Sequence, residues 1–178
     1  MSSQTNQKKY ETVQVLEFSL GNQDYCVDIF DVTEIVEGGK ITPLPKTSEH
    51  IEGVIDLRGQ TTTVINPKKI LGIEEKGEKD IIKENGVTKN LIIMLKPDLI
   101  EDKGRMAWLV TNVEKVNTIK KERFESKIAA NTRMYKGIIK NEDNDKFRIW
   151  LDPKEMLKLD KIAAKENKQK ETEEKQET

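Results

Sequence analysis

The chain has 178 residues, of which 35% are apolar, 35% charged and 5% aromatic, which is typical of one or two domains and excludes a large multi-domain enzyme. Its 31 Lys and Arg residues nearly balance its 32 Asp and Glu residues, so a net charge of −1 gives no general attraction to nucleic acids. The longest apolar run, 91–95, is far shorter than the roughly 20 residues of a membrane-spanning helix, and the N-terminus lacks the apolar region of a secretory signal, which predicts a cytoplasmic protein.

Both ends of the chain are predicted to be solvated tails. Residues 1–12 are mostly polar, and residues 160–178 hold few apolar side chains among many Lys and Glu. Between them, residues 13–159 are rich in Val and Ile, which favours strands. The body of the protein is therefore predicted to be mainly β.

The first predicted hairpin opens the body. Residues 13–20 and 25–29 alternate between apolar and polar side chains around a glycine turn, with one interruption of the alternation at Val15 and Leu16. Apolar residues over 29–36 then recur at a spacing of three or four. That spacing fits either a helical turn or a bent strand.

A second hairpin is predicted to join residues 53–57 to residues 61–65, with Arg58 at its bend. Spacing alone favours a surface role for this arginine over a binding role. Pro67 then begins a short helical stretch that ends at Gly72.

Residues 74–90 are charged and interrupted by glycines, which predicts a long mobile loop that divides the body. Strand-like segments follow at 91–96, 105–110, 113–119, 134–140 and 147–151. Together the segments predict two small β units of about five strands each. Asp152, Pro153 and Glu155 form a favourable helix start, so a short C-terminal helix is predicted to begin there.

The usual catalytic parts are absent from the composition. Cys26 is the only cysteine and His50 the only histidine, which excludes disulfide bonds within the chain and zinc sites made of Cys and His. No serine lies in a G-x-S-x-G context, so nucleophilic triads cannot be assembled from their usual residues. Cys26 is interpreted as a packed, unreactive thiol, and His50 as a loop residue.

Two charged segments have superficial similarity to binding sites. Residues 141–145 offer oxygen ligands, but Lys146 stands where a calcium loop needs Gly and Asp152 where it needs Glu, so a hairpin turn is predicted. The basic segment 115–123 is interleaved with Glu and lacks an aromatic stacking platform. A small OB-like barrel that binds nucleic acid nevertheless stays open as the alternative function.

A resemblance to a known family rests on an ordered set of segments centred on Gly-Val-Ile-Asp-Leu-Arg-Gly at 53–59. The other segments are 15–21, 25–29, 32–36, 41–45, 64–66, 70–72, 91–95, 107–116, 135–137 and 149–152. Together they resemble the CheW family of chemotaxis coupling proteins over essentially residues 13–159. The resemblance implies two SH3-like, five-stranded β-barrels side by side with a groove between them, a short C-terminal α-helix, no catalysis, no cofactor and no metal.

The resemblance also implies two protein partners. Members of the family join the cytoplasmic tips of methyl-accepting chemoreceptors to the regulatory domain of the histidine kinase CheA, so a non-catalytic adaptor that is monomeric in isolation is implied. The receptor-binding positions implied in the groove are Val32, Gly53, Arg58, Val113 and Val116. The kinase-binding positions implied on the first unit are Glu34 and Ile35. Glu34 is further predicted to pair with Arg58, because a carboxylate would orient the guanidinium.

Two short segments depart from the family pattern. Asn66-Pro67 replaces the more common Asp-Leu after a strand, and Thr111-Asn112 stands where an aspartate is frequent. Both changes remove a negative charge from the family pattern, which leaves the local charge of the groove open.

Overall fold

The computed structural model of the chain describes residues 11–73, 82–84, 87–100, 104–125, 133–140 and 146–158. Strands dominate these ranges, so the prediction of a mainly β protein is confirmed. The strands are β1 (Thr12–Leu20), β2 (Gln23–Asp28), β3 (Val32–Gly38), β4 (Ile51–Leu57), β5 (Gln60–Ile65), β6 (Ile82–Glu84), β7 (Val87–Leu95), β8 (Met106–Val110), β9 (Asn112–Lys120), β10 (Phe124–Glu125), β11 (Tyr135–Lys140) and β12 (Phe147–Leu151). Helix α1 spans Pro67–Ile70, and residues 153–158 are also helical.

The strands form two sheets, as predicted. Sheet 1 has the strand order β10-β11-β12-β2-β1-β9, and sheet 2 has the order β3-β7-β8-β5-β4, with β6 paired to β7 beside this path. Sheet 1 therefore combines the first hairpin with the last strands, while sheet 2 is built from the middle of the chain. The SH3-like topology implied by the resemblance stays a prediction.

The predicted division of the body at residues 74–90 is wrong. The chain crosses from sheet 1 to sheet 2 after β2 and returns to sheet 1 after β8. In sheet 1, β1 pairs antiparallel with β9, and Leu16 lies opposite Val116. Part of the supposed loop is itself a hairpin, in which β6 pairs with the start of β7. Backbone hydrogen bonds hold these strands to each other, and a pattern of apolar alternation does not reveal such bonds. Residues 74–81, 85 and 86 lie outside the described ranges.

Central strands are buried on both faces, which explains the interrupted alternation in β1. Leu16 and Ile93 lie in a large apolar cluster between the two sheets. Their neighbours Val15 and Ile92 face the opposite way, into separate clusters inside sheet 1 and sheet 2 respectively. Consecutive apolar residues in these strands therefore lie on opposite faces of the strand, and each face packs into its own core.

The predicted local elements occur with adjusted limits. Ile29–Asp31 is a 3-10 turn capped by Asp28, and β3 follows it directly, so the segment over 29–36 combines both predicted alternatives. The predicted C-terminal helix is confirmed over residues 153–158, where the Asp152 Oδ1 accepts a hydrogen bond from the Glu155 amide at 3.2 Å. The predicted turn at 141–145 and the predicted tails, apart from residues 11 and 12, lie outside the described residues.

Candidate functional site

Three of the residues implied by the resemblance, Glu34, Ile35 and Arg58, lie along one seam, defined here as the line where the edge strands β3 and β4 of sheet 2 face each other. Glu34 and Ile35 are on β3, Gly53 is within β4, and Arg58 is in the turn that follows β4. The two edges touch through a side chain at one point, since a Cβ placed on Gly38 would lie 2.6 Å from the Ile55 Cδ1. The fold thus brings Glu34 and Arg58, which are 24 positions apart in sequence, together at the surface, whereas Gly53 is buried beneath Thr42.

The predicted pairing of Glu34 with Arg58 is present. The Arg58 Nη1 lies 3.2 Å from the Glu34 Oε2, so the pair bridges the seam. The Arg58 side chain is 81% exposed and that of Glu34 is 32% exposed. An ion pair so open to solvent contributes only about 0–1 kcal/mol to folding. The guanidinium nevertheless has a preferred direction and is accessible to a partner.

The turn that carries Arg58 has an unusual backbone. Arg58 and Gly59 have φ angles of 56° and 78°, and the turn joins the paired residues Leu57 and Gln60. Positive φ at both central positions defines the type I′ turn, which normally begins with Asn, Asp or Gly. The Asp56 Oδ1 accepts a hydrogen bond from the Gly59 amide at 3.0 Å, so a side chain near the end of β4 is bonded to the backbone of the turn.

Gly53 permits a close approach within the chain. Its φ is 142°, and a Cβ at this position would lie 2.1 Å from the Thr42 carbonyl oxygen. Thr42 makes two backbone hydrogen bonds with Val54, both 2.8 Å long, which cover the outer edge of β4. The close approach expected at Gly53 thus exists with Thr42 of the same chain, and contact with a receptor stays a prediction.

Gly53→Ala should lower the free energy of unfolding by about 1–3 kcal/mol, the usual range for overpacking, because the added Cβ would collide with fixed backbone at an unfavourable φ. Urea denaturation of both forms would measure the change. Gly39→Ala is the matched control, since nothing lies within 4 Å of its Cβ position. Equal stability of the two variants would contradict this role for Gly53.

The three valines implied in the groove differ in accessibility. Val32 is buried in the cluster between the sheets, and Val113 packs against the same cluster from β9. Val116 is 50% exposed on β9. Val32 and Val113 thus both belong to the cluster between the sheets, where Val32 offers a partner little surface, while Val116 has an open apolar face.

Both departures from the family pattern form hydrogen bonds of their own. Asn66 is buried, donates to the Glu52 Oε1 at 2.7 Å and accepts from the Lys68 amide at 3.0 Å. An ionised aspartate could not donate the first of these bonds. The Thr111 Oγ1 accepts from the Gly21 amide at 2.8 Å. Local structure thus explains Asn66, whereas an aspartate oxygen at position 111 could also accept the bond from Gly21.

Sequence reasoning missed a buried ion pair in sheet 1. The Arg148 Nη1 lies 2.8 Å from the Glu17 Oε1, which also accepts from the Asn117 Nδ2 at 2.8 Å. The exposed fractions of the Arg148 and Glu17 side chains are 8% and 0%. Alternation with Val15 in β1 and with Trp150 in β12 was the available signal, because it points both charges inward.

Cys26 is fully buried beside this pair, opposite Glu17 in the strand register. Burial is the main cause that raises the pKa of its thiol, because it disfavours the thiolate. In the ranges that the structure describes, no three His, Cys, Asp or Glu side chains are arranged to hold a metal. No helix in those ranges is long and apolar enough to cross a membrane.

Native protein should therefore react with a thiol reagent at pH 8 only as fast as sheet 1 opens around Cys26, whereas protein unfolded in urea should react immediately. The time course of labelling, followed by mass spectrometry, measures both rates. Rapid labelling of the native protein would contradict the buried, protonated state of Cys26.

Comparison with known proteins gives consistent matches. The family model described as a CheW-like domain matches residues 14–161. The chemotaxis protein CheW of Thermotoga maritima is 41% identical over 71 residues, which are 39% of this chain and 47% of the relative. That of Helicobacter pylori is 24% identical over 150 residues, which are 84% of each chain. The first of these matches thus spans about half of the curated relative.

A solved structure is similar over a greater length. The crystal structure of the scaffolding protein TtCheW from Thermoanaerobacter tengcongensis superposes with a TM-score of 0.64 at 30% sequence identity. The match covers 80% of this chain and 90% of that chain. Its two β subdomains correspond to the two sheets described above.

Proposed function

Because this chain belongs to the CheW family, we propose that it is a non-catalytic adaptor of chemotaxis signalling, which couples chemoreceptor tips to the histidine kinase CheA. The observation that carries the proposal is the Glu34–Arg58 pair, which spans the seam and leaves the guanidinium open to solvent. A charged group held in one direction on an exposed surface suits recognition better than stability.

The receptor surface requires apolar area beside a directional polar group. A receptor tip is a helical hairpin, and such a helix docks through an apolar stripe. Val116 and the partly buried Val113 offer apolar area on β9, and Arg58 can hydrogen-bond to polar atoms of the receptor. Receptor binding at these residues, and at Val32 and Gly53, is part of this proposal.

The kinase surface lies on β3. Ile35 is 41% exposed next to Glu34, on a strand that forms one end of sheet 2. An exposed apolar residue on an edge strand suits contact with another β domain, and the regulatory domain of CheA has a similar fold in this family. Small binding faces commonly bind weakly, and repeated contacts within an array would raise the effective affinity by about 10² or more.

Co-sedimentation tests the proposal directly. Full-length chain should pellet with membranes that carry chemoreceptors and CheA, and less of it should pellet when either partner is omitted. Membranes without receptors and kinase are the control. If the chain stays in the supernatant with both partners present, although a known coupling protein pellets, the adaptor function is wrong.

A further inference from the structure

The turn between β4 and β5 holds Arg58 in a conformation that its side chain does not favour. Within the described part of the chain, only Lys46 and Arg58 have positive φ without being glycine. Asn or Gly at position 58 would adopt this conformation more easily. The exposed ion pair with Glu34 offsets little of the strain. Folding stability alone therefore does not explain an arginine at this position.

We propose that Asp56 is a positioning residue for docking: by accepting the Gly59 amide, it holds the left-handed turn that presents Arg58 to the partner. The inference rests on the proposed adaptor function. It extends that function to a residue that has no implied contact with receptor or kinase.

The geometry supports this role for Asp56. Its side chain closes the turn through the 3.0 Å bond to the Gly59 amide, one residue beyond Arg58. Gly59 tolerates its φ of 78° without a side-chain clash, and nothing lies within 4 Å of its Cβ position. The bond therefore restrains the turn at Gly59, its glycine. Without it, Arg58 can relax toward negative φ, which turns the guanidinium away from Glu34.

Asp56→Ala should weaken binding by about 2- to 10-fold, the range that corresponds to one ordinary hydrogen bond. Binding is measured as the dissociation constant of the full chain for a recombinant receptor cytoplasmic fragment in the presence of CheA. Asp56→Asn should bind like the unmodified chain, because its Oδ1 can still accept the amide. In an Arg58→Ala background, Asp56→Ala should have no further effect.

Two further variants separate positioning from simple stability. Asp152→Ala removes a similar side-chain bond to an amide at the C-terminal helix, so it should lower the melting temperature without weakening binding. Arg58→Asn should melt no lower than the unmodified chain while it loses binding like Arg58→Ala. A lower melting temperature for Arg58→Asn would overturn the strain argument.

The outcomes distinguish this inference from the function on which it rests. If the unmodified chain binds and Arg58→Ala weakens binding, but Asp56→Ala binds normally, the positioning role is wrong and the adaptor function stands. Additive losses in the Asp56→Ala, Arg58→Ala double variant would also overturn it. If the unmodified chain does not bind at all, the proposed function itself fails.

Discussion

Arg148→Met should lower the free energy of unfolding by about 3–5 kcal/mol, because it leaves the Glu17 carboxylate buried without its cation. Glu17 is fully buried, and its Oε2 already lacks a hydrogen-bond partner among the described residues. Of the residues that the structure describes, only Asn117 would then hydrogen-bond to the Oε1. Urea denaturation followed by the fluorescence of the two buried tryptophans, Trp108 and Trp150, measures the loss.

Replacing both charges should cost much less than replacing one. The double variant Glu17→Val, Arg148→Met removes the desolvation penalty of both groups and leaves apolar side chains facing Val15 and Trp150. It should therefore regain most of the stability lost by Arg148→Met. A positive coupling energy in this double-mutant cycle is the expected result.

An exposed pair provides the control for the buried one. Lys121 and Glu11 approach to 2.6 Å, but their side chains are 55% and 74% exposed. Lys121→Met should leave the urea midpoint unchanged, because solvent screens the pair. If Arg148→Met shifts the midpoint no more than Lys121→Met does, the buried pair has no special role in folding.

Local elements were predictable because their signals are local. The turn at Gly21, the turn at Arg58 and the helix start at Asp152 depend on residues within a few positions of each other. The pairing of β1 with β9 joins segments about a hundred positions apart, as does the parallel pairing of β2 with β12. Apolar alternation shows that a strand has a buried face and does not identify its neighbour.

The candidate site was predictable in part. The resemblance assigned Glu34 and Arg58 to different partners, and the further hypothesis that they pair, because both lie near the implied groove and carry opposite charges, agrees with the structure. The positive φ of Arg58 was not predictable, since arginine rarely adopts it. The charges at Glu17 and Arg148 were also missed, because charged residues are rarely buried unless they are paired, and the two are distant in sequence.

Arg58→Ala should weaken capture by receptor and CheA by about 10- to 100-fold, the effect of losing one interface hot spot, without unfolding the protein. The Arg58 side chain is 81% exposed, so its loss removes little from the core. A large fall in melting temperature would instead indicate a structural role. Arg58→Lys tests geometry, since an ammonium keeps the charge and lacks the planar fork; it should recover only part of the affinity.

Glu34→Gln should weaken binding less than Arg58→Ala, because the amide oxygen still accepts a hydrogen bond while the charge is lost. If Glu34 orients the guanidinium across the seam, its substitution should have little further effect once Arg58 is alanine. A double-mutant cycle on the dissociation constant measures this coupling. Independent, additive losses would contradict the orienting role of Glu34 and leave it only its proposed contact with the kinase.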